Sequence, residues 1–203
     1  LTAAADAARA IRAGGTAVIP TDTVYGLAGR GDVPEGAAAV YALKGRPPTQ
    51  PTALLLASVE VLRAHLPELE GAAARVVDAL LPGPYTLVVP NPARRFVWLT
   101  GDRPDALGVR VPAVVGPGRV VLEAVGAVVA TSANLPGGPD PCSLADVPRV
   151  ILDGADAVVD GGALAGRPST VIDLTGPEPR VLREGAGSGA DALSRIERAL
   201  TSS

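Results

Sequence analysis

Four short segments of the 203-residue chain set charged and polar groups at the ends of apolar runs, where open α/β sheets bind their ligands. Lys44-Gly45-Arg46-Pro47-Pro48 carries two cations separated by one residue. Pro47 pushes Arg46 toward extended backbone; with Gly45 extended as well, Lys44 and Arg46 would project to one side as a two-cation clamp. Such a clamp suits phosphate, each charge-assisted hydrogen bond contributing about 1.5–3 kcal/mol. A lysine in the last helical turn is also favoured by the helix dipole alone, by ~0.3–1 kcal/mol. In Gly108-Val109-Arg110-Val111-Pro112 the two valines share a strand face, which turns Arg110 to the other, toward a ligand or toward solvent. Val129-Ala130-Thr131-Ser132-Ala133-Asn134 and Pro20-Thr21-Asp22-Thr23-Val24-Tyr25-Gly26-Leu27 offer hydroxyls and an amide suited to a small polar substrate. Both also read as ordinary side-chain-to-backbone turns.

Composition narrows the class. At 47% hydrophobic and mean hydropathy +0.30, the chain can bury a full core. One Phe, three Tyr and one Trp are too few for the stacking platforms of a single-strand nucleic-acid binder. A net charge of −3 also lacks the basic balance of a protein that lives on a phosphate backbone. Any anion site must therefore be a local concentration of cations. A lone Cys142 and a lone His65 exclude a disulfide framework and a Cys/His zinc cluster, so no protein-bound transition metal is expected. No apolar run reaches the ~20 residues that span a bilayer, and residues 1–13, with Asp6, Arg9 and Arg12, do not form a signal peptide. The cytoplasm is the expected location, with no membrane partner.

The elements that must hold these groups alternate in type. Helices are predicted over residues 2–13, 34–43, 58–66, 70–81, 117–125, 144–151 and 190–200. Strands are predicted over 16–20, 24–28, 53–57, 86–89, 107–111, 127–130, 157–159, 170–174 and 180–182. With 24 Gly and 20 Pro the elements are short. Some strand pairs lack an intervening helix, so the expectation is one α/β domain over residues 1–203 with a large mixed sheet. Gly185-Ala-Gly187-Ser-Gly189-Ala190 has the form of a dinucleotide fingerprint, but no further strand and ribose-binding acid follow it. There is no P-loop and no nucleophile elbow, and His65 falls inside an amphipathic helix.

Taken in order, the polar segments resemble the YrdC/Sua5 family, the threonylcarbamoyl-AMP synthases of tRNA modification. The family's P-T-[DE]-T-V-Y-G-L, K-x-R-P, V-R-x-P, S-A-N and S-T-[IV] motifs are similar to residues 20–27, 44–47, 109–112, 132–134 and 169–171. Arg183 is similar to the family's late L-R-x-G arginine, so the motif-bearing core runs from about residue 11 to 185. The resemblance implies a single twisted mixed sheet flanked by helices (the YrdC/RibB-like fold) around a positively lined cleft, without the C-terminal domain of longer Sua5-type members. It implies the reaction of L-threonine, bicarbonate and ATP to threonylcarbamoyl-AMP and pyrophosphate. Thr21, Ser132 and Ser169 would then hold threonine or its carbamate. Lys44, Arg46, Arg110, Asn134 and Arg183 would hold ATP with its Mg²⁺, Lys44 and Arg46 serving catalysis. Partners would include the threonylcarbamoyl-transfer complex acting on tRNA, with weak RNA binding. No nucleophile or base is evident, so catalysis would rest on positioning and charge neutralisation. The sequence departs from the family pattern at Asp140, where relatives carry a serine, at Pro168 in place of Glu, and at Thr52 in place of an apolar residue. The alternatives are a YrdC-like paralogue with another carbamoyl or nucleotide substrate, and a non-catalytic RNA-binding module.

Overall fold

The computed structural model describes residues 2–201 of the chain. Nine strands form one mixed sheet in the order β7-β1-β2-β6-β3-β5-β4-β8-β9. These are β1 (Ala17–Pro20), β2 (Tyr25–Arg30), β3 (Leu54–Leu56), β4 (Tyr85–Pro90), β5 (Ala106–Arg110), β6 (Ala127–Ser132), β7 (Ala157–Val158), β8 (Thr170–Asp173) and β9 (Arg180–Arg183). The helices are α1 (Thr2–Arg12), α2 (Pro34–Lys44), α3 (Val59–His65), α4 (Gly71–Leu80), α5 (Gly116–Val125), α6 (Arg149–Gly154) and α7 (Gly189–Thr201). Three neighbouring pairs are parallel (β1 with β7, β3 with β5, β4 with β8) and the other five antiparallel, a mixed sheet as the uneven spacing of predicted helices implies. Among the described residues no helix is long and apolar enough to cross a membrane.

The two faces of the sheet are covered unequally, and this makes room for a site. Leu27, Leu54, Leu56, Leu87 and Val129 join one core cluster with residues of α2, α3, α4, α6 and α7. Ala28, Leu55 and Val128, one register step away, join a second cluster with α1 and α5. Within α1 the buried positions are Ala4, Ala7, Ala8 and Ile11, which recur at the helical period, and the three alanines let the helix lie close to α5. Only two helices serve this second face, so part of it stays open.

Two glycines fix the approach of α2. A Cβ on Gly36 would stand 2.1 Å from the Arg30 carbonyl oxygen, so only glycine lets the helix press onto β2. At the other end Gly45 takes the left-handed conformation, φ 69°, while its N–H donates to the Ala42 carbonyl and that of Arg46 to Tyr41. Gly45 is therefore not extended, and the predicted clamp geometry is wrong: a helix cap, not a strand-like alternation, sets the directions of Lys44 and Arg46. The single helix predicted over residues 144–151 is also divided. Pro148 lacks the N–H a continuous helix needs, so a 3-10 turn (Leu144–Asp146) precedes a separate α6. Strand β6 runs two residues beyond its predicted end, reaching Ser132.

Candidate functional site

The open half of the second face is a cleft of about 360 Å³. Its floor is small: Gly26 from β2, Ala53 just ahead of β3, Gly108 from β5 and Ala130 from β6 all line it. Polar groups rise around this floor. Of the predicted site residues, Thr21, Arg46, Arg110, Ser132, Ser169 and Arg183 line the cleft. Lys44 and Asn134 do not; they stand behind the wall that carries Ser132.

Lys44 ends α2 and is 5% exposed. Its ammonium donates to the Ser132 carbonyl (2.5 Å) and to Asn134 Oδ1 (2.7 Å). The same Oδ1 accepts from Ser132 Oγ at 2.7 Å, and Asn134 Nδ2 donates to the Gly138 carbonyl at 2.7 Å. The lysine thus pins the end of β6 and the loop after it. Burial, then the neighbouring Arg46, pull its pKa from 10.5 to about 8, with Asp140 opposing. Arg46 reaches the cleft from the loop after α2, donating to Thr131 Oγ1 (3.2 Å) and the Pro51 carbonyl (2.5 Å). These acceptors are neutral. The Arg46 Nε and the nearby Thr52 Oγ1 are buried without a partner, and burial lowers the guanidinium pKa.

Arg110 projects from β5 to the face opposite Val109 and Val111, as the alternation predicts, and is 7% exposed. It forms an ion pair with Asp22 and donates to Thr23 Oγ1 at 2.9 Å. Asp22 also accepts from the Ala113 N–H at 3.0 Å. The β1–β2 turn is therefore latched across the sheet onto β5. Burial lowers the Arg110 pKa, and the Asp22 carboxylate beside it opposes that shift. Within the turn Thr21 Oγ1 donates to the Val24 carbonyl (2.8 Å) and accepts from the Thr23 N–H (3.2 Å). Its hydroxyl thus serves the turn that the local sequence foretold, and it also borders the cleft.

At the far side Ser169 Oγ hydrogen-bonds Thr86 Oγ1 at 2.8 Å, and Arg183 donates to the Ser169 carbonyl at 2.8 Å. Sequence reasoning did not single out Thr86, Asp22 as a counterion, or Arg103, which also lines the cleft. Thr86 carried a signal, a lone hydroxyl at the start of the apolar run Tyr85-Thr-Leu-Val-Val89. Arg103 carried none. Four arginines and one acid, Asp140, thus line the cleft, an arrangement fit to hold anions. Among the described residues no group of three or more His, Cys, Asp or Glu could hold a metal. Asp140 is the carboxylate that the cleft wall itself provides.

The Sua5/YciO/YrdC family, described as "Telomere recombination", matches residues 9–185. The chain belongs to that family. The threonylcarbamoyl-AMP synthase of Halorhodospira halophila is 36% identical over 169 residues, covering 82% of this chain and 87% of the relative. The crystal structure of P. abyssi Sua5 complexed with L-threonine superposes with a TM-score of 0.79 at 31% identity, over 96% of this chain and 56% of that one. The chain therefore spans little more than half of the archaeal Sua5. E. coli YciO gives a TM-score of 0.77 at 28% identity, over 91% of this chain and 90% of the other. The nine-stranded mixed sheet with flanking helices is the Sua5/YciO/YrdC fold, as the motif order implied.

Proposed function

We propose that the chain is an L-threonylcarbamoyladenylate synthase, a nucleotidyltransferase serving tRNA t6A modification. The observation that carries this reading is the convergence of Arg46, Arg110 and Arg183 with Ser132 and Ser169 on one open sheet face. The similarity to proteins named threonylcarbamoyl-AMP synthase supports it. The threonine amine and bicarbonate combine to a carbamate with loss of water. A carbamate oxygen attacks the α-phosphorus of ATP, the bond to the β-phosphate oxygen breaks, and pyrophosphate leaves. Mg²⁺ enters with ATP as counterion of its phosphates. The chain supplies alignment and fixed positive charge: Ser132, Ser169 and Thr21 border the space for threonine, and the guanidiniums offset charge on the transferring phosphoryl group. Lys44 and Asn134 act by holding Ser132 in place. Incubation with ATP, Mg²⁺, bicarbonate and each amino acid tests the reading; a threonine- and bicarbonate-dependent adenylate supports it, and its absence refutes it.

Asp140 favours a second reading, that of a family member with another carbamoyl or nucleotide substrate, because its carboxylate lines a cleft otherwise set with arginines. Asp140→Ser separates the two. In a synthase, removing that charge should tighten ATP binding about three- to tenfold, on the order of 1 kcal/mol of repulsion. A variant that binds ATP more weakly favours the paralogue.

Titration of Lys44 adds a pH signature. Pyrophosphate release should fall as pH rises through about 8, where the lysine loses its proton. Stability should move the other way between about 8 and 10.5, because the unfolded chain there retains a proton that the folded chain has released. In Asp140→Ser the alkaline limb should lie at lower pH than in the wild type, since a carboxylate that favours the ammonium is gone. A limb at unchanged pH would show that another group titrates.

A further inference from the structure

Arg103 is a cleft arginine to which neither the motifs nor the reaction assigns a task. Its loop follows the 3-10 turn Val97–Leu99 and packs on the segment that supports Arg46. The Thr52 N–H donates to the Leu99 carbonyl at 2.9 Å, and a Cβ on Gly101 would stand 2.3 Å from the Thr49 carbonyl oxygen and 3.0 Å from Pro51 N. Arg46 in turn donates to the Pro51 carbonyl. Two guanidiniums are thus carried by adjoining loops at one end of the cleft. The opposite end holds Arg110 and Arg183, which sense each other's charge, with Asp22 already paired to Arg110.

The compensation of the two ends differs. Arg46 meets only neutral oxygens. Arg103 is held from behind by Thr175 Oγ1 at 3.0 Å, and the carboxylate nearest it, Asp173, stands at 3.9 Å and is shared with Arg180 at 3.5 Å. The Arg103 side chain remains 53% exposed, and the flanking Asp102 and Asp105 do not line the cleft. Asp140 is the acid that lines the cleft and acts on Lys44 beside Arg46, so two guanidiniums face one carboxylate, and the net positive charge suits a ligand group carrying more than one negative charge.

We propose that Arg103 and Arg46 form a second anion-binding pole, which takes the terminal phosphates of the nucleotide and the pyrophosphate that leaves. This rests on the synthase reading and adds to it a binding residue outside the motifs.

Calorimetric titration with inorganic pyrophosphate, and separately with L-threonine, tests the assignment on the full chain. Arg103→Gln should weaken pyrophosphate binding at least about tenfold while threonine binding stays within about twofold. Thr175→Val, which frees the guanidinium without removing it, should weaken pyrophosphate binding severalfold with the same threonine result. It serves if the first variant does not fold. Pyrophosphate binding unchanged in either folded variant overturns the inference, as does an equal loss of threonine binding. If the wild type forms the adenylate but the variants behave in that way, only the second pole falls. If the wild type forms no adenylate and binds no pyrophosphate, the synthase reading falls with it.

Discussion

Arg110→Ala should reduce threonine-dependent pyrophosphate release by about 10²–10³-fold and lower the melting temperature by about 6–20 °C. Both losses come from one place. Arg110 and Asp22 are 8% and 10% exposed at their side chains and face each other. Removing the cation leaves a nearly buried carboxylate whose remaining donor is the Ala113 N–H, and uncompensated buried charges cost about 3–5 kcal/mol. The β1–β2 turn then loses its latch to β5, and with it the placement of Thr21. A double variant, Asp22→Asn with Arg110→Gln, separates the two effects. It removes both charges, so most of the stability should return, measured by thermal or denaturant unfolding, while the activity should not. A double variant that recovers activity would show that the arginine serves only as structural support. An Arg110→Ala protein within about threefold of wild-type rate, less than 1 kcal/mol, would remove Arg110 from the chemistry.

Lys44→Ala is expected to cost about 10²-fold in kcat/KM, equivalent to about 2.7 kcal/mol of transition-state stabilisation. The ammonium donates to the Ser132 carbonyl and to Asn134 Oδ1; its loss takes that donor from the carbonyl and leaves Oδ1 with Ser132 Oγ, and a buried acceptor left without a donor costs about 1–3 kcal/mol. The loop from Ser132 to Gly138 would rearrange to reach water, displacing the Ser132 hydroxyl from the cleft wall. Lys44→Arg should not rescue the enzyme: the site is 5% exposed, and a planar guanidinium is larger than the ammonium it would replace. Steady-state kinetics for threonine and for ATP check the assignment. A loss confined to ATP, with threonine KM unchanged, would mean that Lys44 touches phosphate directly and does not act through Ser132.

These two residues also show how far a linear reading reaches. Lys44 and Arg46 stand in one motif, and the closeness of the two cations is visible in the pattern K-x-R-P. Their geometry is not, because an extended Gly45 and a left-handed Gly45 are both open to glycine. The choice is made by the Ala42 and Tyr41 carbonyls at the end of α2, which need donors once the helix stops. The outcome sends Lys44 behind the β6 wall and Arg46 into the cleft. Arg110 was legible in direction, since valines on either side must face a core, and strand alternation leaves no other choice. Its partner was not legible: Asp22 lies 88 positions away, and a turn residue of that type has an adequate local explanation.

What the amino-acid order determined by itself is local: the helices and strands to within a few residues, the small packing face of α1, the halt of α2 at Gly45, and the side to which Arg110 turns. Each depends on sterics and periodicity acting over a few residues. The tertiary structure alone decided the strand order and the half-covered second face. It also set the glycine and alanine floor beneath the cleft and the meeting there of Arg46, Arg103, Arg110 and Arg183. Pairing between distant strands selects these, and the free energy that selects among pairings is core burial summed over many residues, which no single segment contains.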